Sequence, residues 1–394
     1  MRIVLFTDTF LPKVDGIVTV IRLLLEHLQA RGHTVMVVCP DLGPVDEYAG
    51  AQVVRVPGIP FWAYPGLKLS WPGYLTYRKV RTFKPDVGHF IHAGFTGGSG
   101  MFMMLAMNTP RVVSFHIDYE RLAPQFGFAW AWPAGAWLGR VMFNRADLLI
   151  APAAHMVGRI REQGVRPPIV VWGRGVDTTR FHPRCRSAAM RTRLGGDDTS
   201  TLLLYVGRLS EEKRLRDLRA VLESTPDVRL ALVGDGPERA DLEAYFRGCP
   251  VTFTGALHGD DLSAAYASSD IFVFPSRMET YGLVVAEAMA SGLPVVAARV
   301  GGVPEMVESG VTGFTFDTGD IAALVTAVRA LVGDAAVRAR MAAAARVWAE
   351  ANIWDDKMDR VIQFYEQAIA FRAGKDRFGR VRHPAHDPHD TSTR

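Results

Sequence analysis

The stretch that decides the fold reads IFVFPSRMETYGLVVAEAMASGLPVVA and covers residues 271–297. Its apolar start predicts a buried strand, and its PVVA end predicts a second strand. Between them, Glu279 falls on a loop, a helix begins near Gly282, and Glu287 lies about a turn and a half inside that helix. This strand–loop–helix–strand unit indicates a parallel α/β sheet.

Two carboxylates frame this loop and helix. Free backbone N–H groups at the start of the helix can receive anionic or hydroxylated groups of a ligand. Glu279 and Glu287 can accept hydrogen bonds from two different parts of the same ligand. A polyol joined to a phosphate carries both kinds of group, so we expect a nucleotide sugar to bind here.

Strands and helices alternate along both halves of the chain, which favours parallel sheets covered on both faces. With 394 residues, the chain is longer than one ordinary domain. The predicted fold class is therefore α/β, with two Rossmann-like, doubly wound parallel-sheet domains facing a central cleft at the carboxyl ends of their strands. The predicted segments are an N-terminal domain (1–180), a linker (181–200), a C-terminal domain (201–350), a last helix (351–371) and a disordered basic tail (372–394).

Composition narrows the class of protein. Hydrophobic residues make up 48% of the chain, yet no apolar run approaches the roughly 18 residues of a membrane span. The first residues read as a buried strand rather than as a signal peptide. The three cysteines are far apart and odd in number, which indicates neither a metal cluster nor disulfides, so we expect a cytoplasmic protein.

The C-terminal domain opens with a second candidate ligand loop, where a predicted strand ends at Gly207. Gly207 allows a tight turn, and Arg208 and Lys213 can converge on the oxygens of a diphosphate. Cations that follow a strand are more often simply solvated. The glutamate loop in the same domain favours the diphosphate interpretation here.

The N-terminal domain offers weaker signals. Gly16 stands where a helix begins, so its amide can face a phosphate or a sugar, although a lone glycine there is more often plain turn chemistry. His116 follows the predicted strand 111–115, and both a contact to the transferred sugar and an ordinary loop histidine are open. Asp118 and Tyr119, on the same loop, are candidate acceptor-binding residues.

No Asp-x-Asp pair occurs in the chain, whereas sugar transferases that hold their nucleotide through a metal usually need one. We therefore expect no metal and no cofactor, with the nucleotide sugar acting as a substrate. Arg208, Lys213 and helix amides would then offset the charge of the pyrophosphate.

Together these motifs resemble the retaining glycosyltransferases of family 4, which have the two-domain GT-B fold. The resemblance extends from residue 1 to about residue 371, and its motifs are Gly207-Arg208-Leu209 with Lys213, the spacing from Glu279 to Glu287, and Gly301-Gly302. A narrower likeness is to the subgroup of GDP-mannose-dependent mannosyltransferases and sulfoquinovosyltransferases that make glycolipids. It is carried by residues 7–12, 114–118, 144–147 and 172–177.

The resemblance implies roles for particular residues and for each domain. The implied catalytic residues are His116, Glu279, Arg208 and Lys213. The implied donor-binding residues are Gly16, Gly207, Arg208, Lys213, Glu279, Tyr281, Gly282, Leu283 and Glu287, with Glu287 on the ribose. The C-terminal domain would hold GDP-mannose or a UDP-hexose, the N-terminal domain would bind the acceptor, and the last helix would cross back to the N-terminal domain.

Aromatic and basic residues cluster on the acceptor side of the chain. Aromatic side chains recur in residues 61–77 and 128–137, and Arg78, Lys79, Arg81 and Lys84 follow the first group. This pattern fits an interface with anionic lipid, and it also fits a domain core with a solvated basic rim. We expect a lipid or glycolipid acceptor, peripheral binding to the inner face of the membrane, and no nucleic acid partner.

Other functions remain open from the residues alone. An epimerase or a phosphorylase can use the same architecture. A nicotinamide oxidoreductase is disfavoured because neither domain carries the dinucleotide fingerprint. A non-enzymatic carbohydrate-binding protein would not need the cations. The expected reaction is hexose transfer with retention at the anomeric carbon.

Overall fold

The computed structural model describes residues 1–13, 16–61, 68–91, 94–115 and 132–373, and only the main chain of residues 132–135. The chain folds into two compact units. Unit 1 comprises Met1–Ala151, Val157–Val171 and Met358–Arg394, and unit 2 comprises Pro152–Met156 and Trp172–Lys357. The N-terminal part of unit 1 therefore ends at Val171, before residue 180. Unit 1 also includes most of the last helix.

The strands of unit 1 are short and mostly apolar. They are β1 Arg2–Phe6, β2 Thr34–Pro40, β3 Glu47–Tyr48, β4 Ala51–Val56, β5 Gly58–Pro60, β6 Lys68–Ser70, β7 Val87–Phe90, β8 Arg111–Ser114, β9 Leu148–Ala151 and β10 Ile169–Val171. Eight of them form one sheet in the order β10-β9-β8-β7-β1-β2-β4-β3, and β5 pairs with β6.

The large sheet of unit 1 is parallel except where β3 meets β4. Its central strand β1 is buried from Ile3 to Phe6. A strand that is buried on both faces needs apolar side chains in succession rather than in alternation. This requirement explains the uninterrupted IVLF run at the start of the chain.

The helices of unit 1 are amphipathic or half-buried. Helix Gly16–Ala30 buries Val18, Ile21, Leu25 and Leu28 at spacings of three and four residues, which places them on one face. The other helices are Tyr74–Phe83, Phe95–Ala106, Trp132–Phe143 and, partly in unit 2, Ala154–Glu162 and Trp354–Ala373.

The last helix is fixed to the sheet of unit 1 by a buried polar chain. The Tyr365 hydroxyl lies 2.7 Å from His89 Nδ1 on β7, and His89 Nε2 lies 2.7 Å from the Ser114 hydroxyl on β8. All three residues are buried, so each of these polar groups needs its partner.

Unit 2 contains a six-stranded parallel sheet. Its strands are β11 Thr201–Val206, β12 Val228–Val233, β13 Val251–Gly255, β14 Ile271–Phe274, β15 Val295–Ala298 and β16 Gly313–Phe316, in the order β13-β12-β11-β14-β15-β16. Its helices are Ala188–Arg193, Leu218–Ser224, Arg239–Tyr245, Gly259–Ala267, Leu283–Ala290, Val303–Met306, Ile321–Gly333 and Ala335–Glu350.

The predicted linker, residues 181–200, packs within unit 2. Phe181, Met190 and Leu194 are buried in its hydrophobic core. Ser187 caps helix Ala188–Arg193 by accepting a hydrogen bond from the Met190 amide at 3.3 Å. This short helix thus buries its apolar residues against the C-terminal sheet domain.

The α/β class with two parallel-sheet domains is confirmed by this architecture. The last helix continues to Ala373, and residues 374–394 of the predicted tail lie outside the described part. Within the described residues, no helix combines the length and the apolar character needed to cross a lipid bilayer.

Candidate functional site

The candidate donor loops of unit 2 follow neighbouring strands. β12, β11, β14 and β15 are adjacent and parallel, so the loops after them start at one edge of the sheet. These loops carry, in sheet order, Gly234, Gly207, Glu279 and Gly301. Residues that are far apart in sequence therefore meet at this carboxyl edge.

Glycines at 207 and 234 let two of these loops touch. Gly207 has a φ of +152°, and its amide donates to the Val233 carbonyl at 3.0 Å. A Cβ atom on Gly234 would lie 1.9 Å from the Gly207 carbonyl oxygen, which leaves no room for a side chain. The diphosphate loop predicted from sequence is thus held against its neighbour by backbone contact.

The two predicted cations of this loop have different surroundings. The Arg208 side chain is exposed. Lys213 ends a short 3₁₀ turn, Glu211–Lys213, and its ammonium lies 3.2 Å from Glu279 Oε2. The Lys213 ammonium also lies 5.4 Å from the centre of the Phe274 ring.

The Lys213–Glu279 ion pair joins two of the predicted site residues. The two side chains are only 16% and 21% exposed, so solvent screens their attraction less than it would on an open surface. Glu279 Oε1 also accepts a hydrogen bond from the Thr280 amide at 2.9 Å. The carboxylate is therefore oriented from both sides.

The Gly301-Gly302 turn supports the backbone of the glutamate loop. A Cβ atom on Gly301, where φ is +55°, would lie 2.1 Å from the Glu279 carbonyl oxygen. The Gly302 amide donates to the Thr280 carbonyl at 3.1 Å. The backbone of this glycine pair therefore lies directly against the loop of Glu279.

The helix after the glutamate loop begins as the sequence predicts. Gly282, with a φ of +94°, is the N-cap of helix Leu283–Ala290. A left-handed conformation is inexpensive only for glycine. The first hydrogen bonds of the helix run from the Val285 and Ala286 amides to the Gly282 carbonyl, and the amides before these are the ones that a helix start can offer to a ligand.

Tyr281 fixes the start of this helix to an earlier segment of unit 2. Its hydroxyl donates to the Arg174 carbonyl at 2.8 Å. The Arg174 guanidinium stacks 4.5 Å from the centre of the Trp172 ring, and burial lowers the pKa of Arg174 to about 10. The Arg174 carbonyl thus holds the side chain of Tyr281 in place.

Glu287 lies on the same helix in a strongly desolvated position. Burial raises the pKa of Glu287 to about 7, although the hydrogen bond from Tyr266 and the charge of Arg180 act in the opposite direction. The Tyr266 hydroxyl donates to Glu287 Oε2 at 2.8 Å. A carboxylate so poorly solvated gains from any hydroxyl groups that a ligand supplies.

The structure leaves four of the predicted site residues untested. Gly16 is the exposed first residue of helix Gly16–Ala30 in unit 1. His116, Asp118 and Tyr119 lie outside the described residues. The roles proposed for these four residues stay predictions.

Two polar residues of the site, Tyr266 and Glu212, were not predicted from the sequence. Tyr266 orients Glu287, but no local pattern in its helix distinguishes it from a core tyrosine. Glu212 accepts a hydrogen bond from the Ser210 hydroxyl at 2.5 Å, and its carbonyl accepts from the Arg277 amide at 2.9 Å. The position of Glu212 beside Lys213 in the sequence is the signal that could have predicted it.

In the described part of the chain, no group of three or more His, Cys, Asp or Glu side chains forms a candidate metal site.

Comparison with known proteins defines the class of this chain. Residues 14–180 match the family model Glycosyltransferase Family 4, and residues 200–334 match Glycosyl transferases group 1. A sulfoquinovosyl transferase of Arabidopsis thaliana is 37% identical over 90% of this chain and 71% of its own length. A GDP-mannose-dependent alpha-mannosyltransferase of Mycolicibacterium smegmatis is 34% identical over 95% of this chain and 99% of its own length.

Solved structures show the same fold. Sucrose-phosphate synthase from Thermosynechococcus elongatus aligns with a TM-score of 0.76 at 22% identity, over 94% of this chain and 99% of its own. The glycosyltransferase WaaG, which is involved in lipopolysaccharide biosynthesis, aligns with a TM-score of 0.68 at 18% identity, over 93% and 99% of the two chains. The fold is GT-B.

The chain belongs to glycosyltransferase family 4, and the family membership expected from the sequence is confirmed. The protein is a hexosyltransferase, and its relatives include a protein named alpha-monoglucosyldiacylglycerol synthase.

The raised pKa of Glu287 predicts a loss of stability as the pH increases. Its folded pKa of about 7 lies above the ordinary value of 4.5, so between these values the folded protein holds more protons than the unfolded chain. Stability therefore falls as the pH rises through this window, by at most about 3 kcal/mol from this group. Urea midpoints at about pH 5 and about pH 7.5 should differ less in Glu287→Gln than in the wild type.

The matched control for this measurement is Glu308→Gln, which changes an exposed glutamate in the same unit. It should keep the wild-type pH dependence. An unchanged pH dependence in Glu287→Gln would contradict the assignment.

Proposed function

We propose that this hexosyltransferase moves a hexose from a nucleoside diphosphate to a lipid or glycolipid at a membrane surface, with retention and without a metal. The observation that carries the proposal is the partly buried Lys213–Glu279 pair, which lies beside the Gly282 helix start in unit 2. This arrangement offers a cation for phosphate and a carboxylate for sugar hydroxyls within a few ångströms of each other.

The diphosphate end of the donor is assigned to the Gly207 loop. Arg208 is exposed and can turn toward a phosphate, whereas Lys213 is already held in place by Glu279. A fixed cation loses less conformational freedom on binding than a free one does. Glu287, oriented by Tyr266, is assigned to the ribose hydroxyls, which would supply the hydrogen bonds that its ionised form lacks.

The hexose is assigned to Glu279 and to the amides of Tyr281, Gly282 and Leu283. The names of several relatives specify GDP-mannose as donor, among them proteins 31% and 34% identical to this chain. The donor proposed first is therefore GDP-mannose, with a UDP-hexose as the second choice. His116 is assigned to the sugar, Asp118 and Tyr119 to the acceptor, and Gly16 to the phosphate, as predicted from the sequence.

The proposed chemistry takes place on one face of the sugar. The bond from the anomeric carbon to the β-phosphate oxygen breaks, and the acceptor oxygen attacks from the same face. The departing phosphate takes the proton of the acceptor hydroxyl. Lys213, Arg208 and the helix amides stabilise the negative charge that develops on this phosphate, so no metal is needed.

Replacement of Lys213 or Glu279 should remove most of the activity. Lys213→Ala and Glu279→Ala each leave a buried partner unpaired and delete a donor contact, so kcat/KM should fall roughly a hundredfold or more. Lys213→Arg keeps the charge and should retain part of the activity. The measurement is turnover with a panel of GDP- and UDP-hexoses and lipid acceptors, with binding of each donor followed by thermal shift.

Arg340→Ala is the matched control, because Arg340 is an exposed cation on helix Ala335–Glu350 of the same unit. Its turnover should stay within about twofold of the wild type. Near-normal turnover in Lys213→Ala or Glu279→Ala would refute the donor site.

The stereochemistry of the product tests the proposed reaction course. An α-configured donor should give an α-linked product, and the rate should be unchanged in EDTA because charged side chains replace the metal. NMR of the product reads the anomeric configuration directly. A β-linked product, or loss of turnover in the chelator, would count against the mechanism.

A lipid acceptor is supported by an exposed surface of unit 1. Trp71, Tyr74 and Leu75 are 58%, 72% and 74% exposed, so they are not part of the domain core. Arg78 and Lys79, also exposed, follow on the same helix, Tyr74–Phe83. We call these five residues the aromatic–basic surface. Aromatic and apolar groups beside cations are typical of proteins that bind anionic bilayers at their surface.

The predicted acceptor region also includes the second aromatic group, residues 128–137. Residues 62–67 and 116–131 lie outside the described part of the chain. Trp137 is 58% exposed. Two relatives, from Streptococcus pneumoniae and Acholeplasma laidlawii, are named alpha-monoglucosyldiacylglycerol synthases, which supports a lipid acceptor.

Removal of the apolar part of the aromatic–basic surface should weaken membrane binding. Trp71→Ser combined with Leu75→Ser should reduce affinity for phosphatidylglycerol vesicles about tenfold or more, because less apolar area is buried in the bilayer. Co-sedimentation with the vesicles measures the effect, and donor binding should be unchanged.

Val347→Ser combined with Ile321→Ser removes exposed apolar side chains from unit 2 and should leave vesicle binding as it is. If the Trp71 and Leu75 double variant sediments like the wild type, this surface does not bind the bilayer.

A further inference from the structure

An arginine-rich pocket lies in unit 1, at the edge of the sheet where the strands begin. Its volume is about 860 Å³, which is large enough for a phosphorylated small molecule or a lipid headgroup. Its walls come from the residues before β8, β9 and β10 and from the last turn of helix Trp354–Ala373. In this sheet, Ser114 lies at the opposite edge, where β8 ends.

The pocket is strongly cationic. Among the described residues, it is lined by six arginines and a single aspartate, Asp147. The arginines are Arg111, Arg140, Arg145, Arg161, Arg166 and Arg372. Such a concentration of guanidinium groups around one carboxylate leaves a large positive charge uncompensated.

Both oxygens of the Asp147 carboxylate accept hydrogen bonds from the two buried arginines, Arg111 and Arg372. Asp147 Oδ2 accepts from Arg111 Nη2 at 2.9 Å and from Arg111 Nε at 3.1 Å, and Asp147 Oδ1 accepts from Arg372 Nη1 at 3.3 Å. Arg111 and Arg372 are 2% and 4% exposed. Two buried positive charges therefore share one negative charge.

Both buried arginines keep a donor without an acceptor in the described structure. Arg111 Nη1 and Arg372 Nε are buried and have no hydrogen-bond partner there. A buried charged donor that is left unpaired destabilises the folded protein. Burial lowers the pKa of Arg111, Asp147 raises it, and the nearby Arg372 and Arg145 lower it further, as expected where positive charge exceeds negative charge.

The other four arginines form the exposed rim of the pocket. Among the described residues, none of them is in an ion pair with a carboxylate. Arg161 donates to the Val165 carbonyl at 2.9 Å, and the Arg166 amide is held by Asn144 Oδ1 at 2.7 Å. These contacts position the loops of the rim and leave guanidinium charge directed to solvent.

We propose that this arginine pocket binds a phosphate group, either of a free phosphate ion or of a phospholipid headgroup. The planar fork of arginine matches the oxygens of phosphate, and several forks around one pocket give charge-assisted contacts from more than one direction. A purely structural role for the Arg111–Asp147–Arg372 cluster accounts for the fixation of the last helix. It does not account for four further arginines around the opening.

The test is hydrogen exchange of the full-length protein, read locally at the pocket. The amides of residues 144–147 and 161–168 are followed in inorganic phosphate, in phosphatidylglycerol vesicles and in phosphatidylcholine vesicles. Because the readout is local, phosphate bound to the donor loops of unit 2 does not interfere. The free-ion source predicts protection by phosphate, and the headgroup source predicts protection only by the phosphatidylglycerol vesicles.

The diagnostic variant is Arg145→Gln combined with Arg166→Gln, which removes two exposed rim charges and leaves the buried cluster intact. It should raise the concentration of ligand needed for half-protection about tenfold or more. Arg340→Gln combined with Arg360→Gln removes the same charge from exposed positions outside the pocket and should match the wild type.

The vesicle experiment is repeated in the Trp71→Ser, Leu75→Ser background to separate the pocket from the aromatic–basic surface. Protection of the pocket that persists there and is lost in the rim variant supports the proposal. Absence of protection with both phosphate and phosphatidylglycerol overturns it, and so does equal protection in the rim variant and the wild type.

Discussion

The ion pair between Lys213 and Glu279 depends on the order of strands in the second sheet. Lys213 follows β11 and Glu279 follows β14, and these strands are neighbours although they are far apart in the chain. Because the strands are parallel, their carboxyl ends coincide, and the two loops meet at 3.2 Å. The opposite charges would not find each other on a differently ordered sheet.

Glycines make that meeting rigid. Side chains at 234 and 301 would collide with the carbonyl oxygens of Gly207 and Glu279, so the loops of the carboxyl edge are in close backbone contact in two pairs. The Arg277 amide donates to the Glu212 carbonyl at 2.9 Å, and this bond joins the loop of Glu279 to the loop of Lys213. A donor site built this way is organised before the ligand arrives, which lowers the cost of binding.

The site of unit 2 also contains ionisable groups whose burial is unfavourable in the free protein. Glu287 is held where its ionised form is poorly solvated, with Tyr266 as a hydrogen-bond donor, and Arg174 is buried behind Tyr281. Groups of this kind reduce stability in the free protein and gain partners in a complex, as is common at functional sites. The pocket of unit 1 has an excess of positive charge, with six arginines around one aspartate among the described residues. A formal net charge of only +4 for the whole chain conceals this local excess.

Local sequence patterns determined most of the secondary structure and the identity of the Lys213 and Glu279 loops. Apolar runs such as IVLF and IFVF mark strands buried on both faces, and Gly282 marks a helix start, since these signals act over a few neighbouring residues. Helix Tyr74–Phe83, with only Thr76 and Val80 buried, and the edge strand Gly313–Phe316 carry weak patterns and were not predicted. Only the tertiary structure decided that Tyr266 orients Glu287, that residues 181–200 pack in unit 2, and that Arg111, Asp147 and Arg372 meet. The physical reason is that desolvation and hydrogen bonding between distant segments depend on which strands are neighbours, and no local pattern of residues records that order.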